Sequence, residues 1–120
     1  MLGANPVRAN EEEVFATHVR ILGVNGSVTQ EDGNGVTITR TGEGAYLATW
    51  ADDQGQFLGW NIGFGAATPA DLAGYTGVRD TYTAGTPTLA FIVYNASDAA
   101  ADLIANQYAD IIFYFKRTGL

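Results

Sequence analysis

Cysteine is absent from the 120 residues, lysine occurs once, at Lys116, and histidine once, at His18. Each scarcity removes a class of function. Without cysteine there is no disulfide framework, thiol nucleophile or thiolate-ligated zinc. Lys and Arg total 6 against 13 Asp and Glu, for a net charge of -7. The basic residues are scattered at Arg8, Arg20, Arg40, Arg79, Lys116 and Arg117, whereas a phosphate backbone is held by clustered Lys and Arg. No nucleic-acid partner is expected. No run of 18 apolar residues occurs, so no membrane span is expected. The opening "MLGANPVRANEEE" lacks a basic region followed by an apolar one; synthesis in a cytoplasm, without the general secretion route, is the expectation.

Serine is nearly as scarce, at Ser27 and Ser97, and neither lies in a G-x-S-x-G elbow. A nucleophilic triad needs a base beside its nucleophile. His18 falls in mid-strand and reads as a surface or interface residue. One histidine does not make the multi-imidazole site of a jelly-roll metal enzyme. Glu31-Asp32, Asp52-Asp53, and Asp98 with Asp102 are calcium-ligand types, but no D-x-D-x-D-G string arranges them. They read as solvated loop acids, and nothing selects a glycosidase pair among them. "GFGAAT" (63–68) lacks the lysine of a phosphate loop. No enzyme activity, cofactor or metal is expected.

What is present is β pattern. The length suits one domain with a real core. Residues 1–13 carry no hydrophobic period and read as an extended N-terminal arm, and 14–120 as a single β-sandwich domain. "VFATHVRILGV" (14–24) puts Phe15, Val19 and Ile21 on one side. "SVTQ" (27–30) is a short strand, and "EDGNG" (31–35) a loop. "VTITRT" (36–41) alternates, and "AYLATWA" (45–51) pairs back with Tyr46, Ala48 and Trp50 together. "QFLGWNIGFGA" (56–66) puts Leu58, Trp60, Ile62 and Phe64 on one face and Phe57, Gly59, Asn61 and Gly63 on the other. Its alternate glycines imply a bulge, a bend or a close neighbour. "TPADLAGY" (68–75) suits one helical turn, with Thr68 as cap and Pro69 at its start. An edge strand is expected around Val78 to Thr83. "TLAFIVYN" (88–95) and "QYADIIFYFKRT" (107–118) are the strongest strands; "ASDAAADLIAN" (96–106) fits either a helix or a loop. Seven or eight strands at this spacing make an all-β, antiparallel sandwich or jelly-roll-like barrel. Jelly-roll and immunoglobulin-like strand orders both fit.

Strands 88–95 and 108–115, and to a lesser degree 45–51, are apolar on both faces, yet a sandwich has one interior. Ile92, Tyr94, Ile112 and Tyr114 then form an exposed patch, and patches of this kind mark interfaces. Trp50 joins them as an aromatic of the type favoured at interfaces. Self-association is expected, with closed cyclic symmetry.

The "VTITRTGEGAYLATW" hairpin, the "TLAFIVYNASDAAADLIANQYADIIFYFKRT" ending and the lack of cysteine resemble small β-rich structural proteins of tailed bacteriophages, especially capsid decoration (cement) proteins. The resemblance spans about residues 14 to 118. It implies a virion structural protein, made in the host cytoplasm and seated as a homotrimer on the outer capsid surface. There it bridges copies of the major capsid protein and stabilises the icosahedral shell. It also implies that the N-terminal arm docks, with Leu2, Asn5, Pro6, Val7 and Arg8 as its contacts. The alternative is a receptor- or carbohydrate-binding module, such as a fibre head, in which Trp50, Trp60, Tyr75 and Tyr82 stack on sugar rings.

Overall fold

Every second side chain is apolar along most of the chain, and a strand presents such residues to one side. The protein is accordingly built from strands in a computed structural model, which describes residues 13–24, 27–31, 33 and 35–117. The strands are β1 (Glu13–Val24), β2 (Ser27–Glu31), β3 (Val36–Gly42), β4 (Ala45–Trp50), β5 (Gln56–Ala66), β6 (Thr76–Arg79), β7 (Thr88–Tyr94) and β8 (Gln107–Arg117). Sheet one runs β2-β1-β8-β5 and sheet two β3-β4-β7-β6. All pairings are antiparallel, and the sheets pack as a sandwich. The arm assigned to 1–13, with Leu2, Asn5, Pro6, Val7 and Arg8, lies outside the described residues except for Glu13, which opens β1.

The core follows the alternation. Val19, Ile21, Ala109, Ile111, Phe113 and Phe115 from sheet one meet Val36, Ile38, Tyr46, Ala48, Trp50, Leu89, Phe91 and Val93 from sheet two. Trp50 stands edge-on to Phe113 and Phe115, with ring centroids 5.0 and 5.3 Å away. Tyr46 stacks on Phe91 at 5.3 Å, and Trp60 meets the same Phe91 ring edge-on at 5.3 Å. Offset and edge contacts of this kind suit the ring quadrupoles and add to the burial of large apolar area.

β5 departs from simple alternation. Its register against β8 shifts between Phe57 and Gly59, so Leu58 is an extra residue in the ladder. Phe57 therefore turns inward, stacking on Tyr82 at 6.0 Å and meeting Phe115 edge-on at 5.5 Å. Leu58, placed by alternation on one face with Trp60, is 45% exposed. A bulge adds one residue and reverses the inward-outward order on one side of it.

The segment 68–75 forms a 3-10 turn at Pro69–Leu72, with Pro69 at its start and no side-chain cap from Thr68. The edge strand is β6, which ends at Arg79; Thr83 makes an isolated bridge to Thr88. Residues 96–106 form a loop. Asn95 Oδ1 accepts the Ser97 and Ala99 amides, and the Ala101 amide donates to the Val93 carbonyl. Asp98 and Asn106 both have positive φ. These local bonds and the return to β7 replace the helix that the alanines suggest. The β3–β4 turn fits beneath this loop. Gly44 has φ +68, and a Cβ there would lie 2.5 Å from the Ala101 nitrogen, so only glycine suits the site.

Candidate functional site

Three groups of charged and hydroxyl-bearing side chains stand out among the described residues. On the outer face of sheet one, β1 presents His18 and Arg20 beside Asp110 of β8. Arg20 Nε donates to Asp110 Oδ1 at 2.7 Å and its NH2 to Oδ2 at 2.9 Å. His18 Nε2 lies 3.3 Å from Oδ1. Hydrogen bonding from Arg20 holds the Asp110 carboxyl below the usual carboxylate range; partial burial opposes this and His18 assists it. Across the ladder from His18 stand Ile112 and then Asn61, neither of them a nucleophile. Arg20 also lies over the Tyr108 ring, 4.4 Å from its centroid. The arrangement is a cross-strand clamp of bidentate Arg–carboxylate type.

The second group joins Arg40 of β3 to Asp102 in the β7–β8 loop, through bonds of 3.0 and 2.9 Å. Asp102 Oδ1 also accepts the Gly44 amide at 2.8 Å. Hydrogen bonding from Arg40 lowers the Asp102 pKa, against burial and with help from Gly44. In the third group, the Gln54 amide donates to the Tyr82 hydroxyl, which donates to Asp53 Oδ1. Burial raises the Tyr82 pKa. These loop carboxylates order loops. Among the described residues, no three His, Asp or Glu side chains gather where they could hold a metal ion.

The aromatic residues considered for sugar stacking pack against the core. Trp50 is 2% exposed. Trp60 lies against Phe91 and Phe113. Tyr82 contacts Trp50, Phe57 and Phe115, and Tyr75 meets Phe64 edge-on at 6.1 Å. Sugar stacking requires an open ring face; Trp50 offers none, and Trp60, Tyr75 and Tyr82 are half-buried against their neighbours.

The residues assigned to self-association separate. Trp50 is interior, because its position in β4 shares the inward parity of Tyr46 and Ala48; it is withdrawn from the surface set. Ile112 and Tyr114 are partly exposed on the outer face of sheet one, whereas Ile92 and Tyr94 are partly exposed on that of sheet two. The single expected patch is therefore two patches on opposite sides. Around Ile92, the cross-strand neighbours are Ala45 and Val78; Tyr94 lies opposite Thr76. Around Tyr114 are Ala16 and Gly59, and around Ile112 are His18 and Asn61.

Two of the four large hydrophobic residues exposed among the described residues belong to sheet one: Val14, 63% exposed and opposite in parity to Phe15, and Leu58, which alternation misplaces. Both belong to the Tyr114 end of sheet one. The sequence signal for Leu58 was the adjacent Gly59, which marks the bulge. Among the described residues, no helix is long and apolar enough to cross a membrane. No family model, curated protein or solved structure matches the chain.

Proposed function

We propose that the chain is a non-enzymatic virion structural protein that decorates and stabilises a tailed-phage capsid. In this role it sits on the outer shell surface as a homotrimer and bridges copies of the major capsid protein. The observation that carries the proposal is the contrast between the polar clusters and the sheet faces. Arg20–Asp110, Arg40–Asp102 and Tyr82–Asp53 brace strands and loops. Meanwhile Ile112, Tyr114, Ile92 and Tyr94 remain partly exposed on broad faces. A rigid scaffold with apolar outer faces and braced loops suits assembly, and the resemblance to decoration proteins supplies the setting.

The first strand pairs with the last, β1 with β8, as in a jelly roll, whereas β4–β7 and β5–β8 stand in place of the β2–β7 and β4–β5 pairings that rolling up one antiparallel ribbon would produce. The N-terminal arm, with Leu2, Asn5, Pro6, Val7 and Arg8, is the shell-contacting segment in the same proposal. Three arms on one trimer share a high effective concentration, and avidity then exceeds single-arm affinity by roughly 10²–10⁴.

The test is co-sedimentation with mature shells of the phage that encodes the chain, stripped of their decoration. Saturable binding in multiples of three, with shells that resist heat better, is expected. Shells that leave the protein in the supernatant would overturn the proposal.

A further inference from the structure

We infer that copies of this chain associate through the outer face of sheet one, with the Tyr114–Leu58 ridge of one copy seated over the glycine trough beside Gly63 of the next. The inference deepens the proposed self-association and rests on it.

The ridge comes from three adjacent strands. Val14 and Ala16 of β1 flank Lys116 and Tyr114 of β8, and Tyr114 stands opposite Gly59 of β5. Val14 and Leu58 are two of the four large hydrophobic side chains that stand exposed among the described residues. The bulge is what puts Leu58 there. Removing one residue would restore simple alternation to β5, so the extra residue directs an apolar side chain outward; bulges commonly re-aim side chains in this way.

The trough runs along β5 beside the ridge. Gly59, Asn61, Gly63 and Gly65 lie opposite Tyr114, Ile112, Asp110 and Tyr108. Gly65 has a reason within the chain, since a Cβ there would lie 2.3 Å from the Tyr108 ring. Gly59 serves the bulge. Gly63 has neither reason: a Cβ there would meet nothing within 4 Å. Glycine inside a strand weakens it and often marks close approach by another molecule. Among the described residues nothing makes that approach.

Area and charge point to a second copy as the occupant. A sheet offers about 16 Å² of face per residue, from a strand spacing of ~4.8 Å and a rise of ~3.3 Å. With strands of 12, 5, 11 and 11 residues, sheet one presents roughly 600 Å² in projection. Sheet two, with 7, 6, 7 and 4, presents roughly 400 Å². A standard interface buries about 800 Å² of accessible surface per partner, and sheet one comes nearer to that than sheet two. The chain carries -7, so two copies repel unless they meet where charge is balanced. On the outer face of sheet one Glu31 lies opposite Arg20, Arg20 pairs with Asp110, and Lys116 lies opposite Val14. With His18 neutral, these four charges cancel. Ridge and trough are different parts of one face, so a head-to-tail contact can repeat and close about an axis.

The experiment is light scattering on a sizing column, over a range of concentrations, for the unmodified chain and three variants. Tyr114→Arg places a charge on the ridge. Gly63→Val fills the trough at a site that is open and has no positive φ, so the fold accommodates it. Ile92→Arg places the same charge on sheet two. Circular dichroism and a cooperative melt confirm that each variant is folded. The expected result is an oligomer for the unmodified chain and Ile92→Arg, and monomers for Tyr114→Arg and Gly63→Val. If Gly63→Val and Tyr114→Arg both keep the parent mass, the face is wrong while self-association stands. A monomeric parent overturns both the face and the trimer. Variants that dissociate as expected, from a parent that ignores shells, would keep this inference and remove the decoration role.

Discussion

Arg40 and Asp102 are 62 residues apart in the chain and joined by two hydrogen bonds, of 3.0 and 2.9 Å. The pair ties the β3–β4 hairpin to the long loop that leads into β8. Asp102 also accepts the amide of buried Gly44. Replacing Asp102 with alanine leaves that amide without its acceptor. The expected loss is about 1–3 kcal/mol of stability, read as a lower urea midpoint with little change in slope. An unchanged midpoint would show that the clamp is dispensable.

Acid should weaken the fold through the same kind of group. Asp102 and Asp110 both have folded-state pKa values below the ordinary carboxylate value, because Arg40 and Arg20 hydrogen-bond to them. A depressed folded pKa contributes stability that is present above the unfolded value and is lost as pH falls through the folded one. Stability should therefore decline below about pH 4. Asp102→Asn should flatten that decline as well as lower the plateau at neutral pH. A melt series from pH 2 to 7 checks both, and an unaltered acid limb in the variant would contradict the assignment.

Phe113 and Leu58 make a paired prediction, because they differ in environment more than in size. Phe113 is fully buried and touches Trp50 and Trp60; its replacement by alanine should cost about 3–5 kcal/mol. Leu58 is exposed on the far side of the bulge, and Leu58→Ser should change monomer stability by only about 0.5 kcal/mol. Equilibrium denaturation of both variants in the Tyr114→Arg background keeps association out of the comparison. Equal losses would mean that Leu58 faces the core.

Deleting residues 1–10 should weaken binding to shells and leave the oligomer intact, since sheet one lies wholly beyond the deletion. Shell binding at unchanged affinity would remove the arm from the docking role. Loss of the oligomer would move the arm into the self-association surface.

Much of the architecture could be read from alternation, because strands such as β4 and β7 obey it without interruption and β3 obeys it up to a register shift between Arg40 and Gly42. Val36 and Ile38, Tyr46 and Trp50, and Leu89, Phe91 and Val93 all point inward as their parity requires. Parity fails at Leu58, where one extra residue reverses the order. The surface was less legible for a different reason. A strand's own sequence shows that it has two apolar faces, but it does not show which sheet the strand will join. β7 and β8 look alike in this respect and enter opposite sheets, which separates Ile92 and Tyr94 from Ile112 and Tyr114. The clamp at Asp102 joins residues far apart in the chain, and no local pattern announces it.

The most direct measurement is the mass of the unmodified protein in solution at neutral pH, by light scattering on a sizing column. A self-associating decoration protein should elute as a closed trimer, at three times the chain mass of 12.7 kDa. A single 12.7 kDa species at every concentration would contradict it.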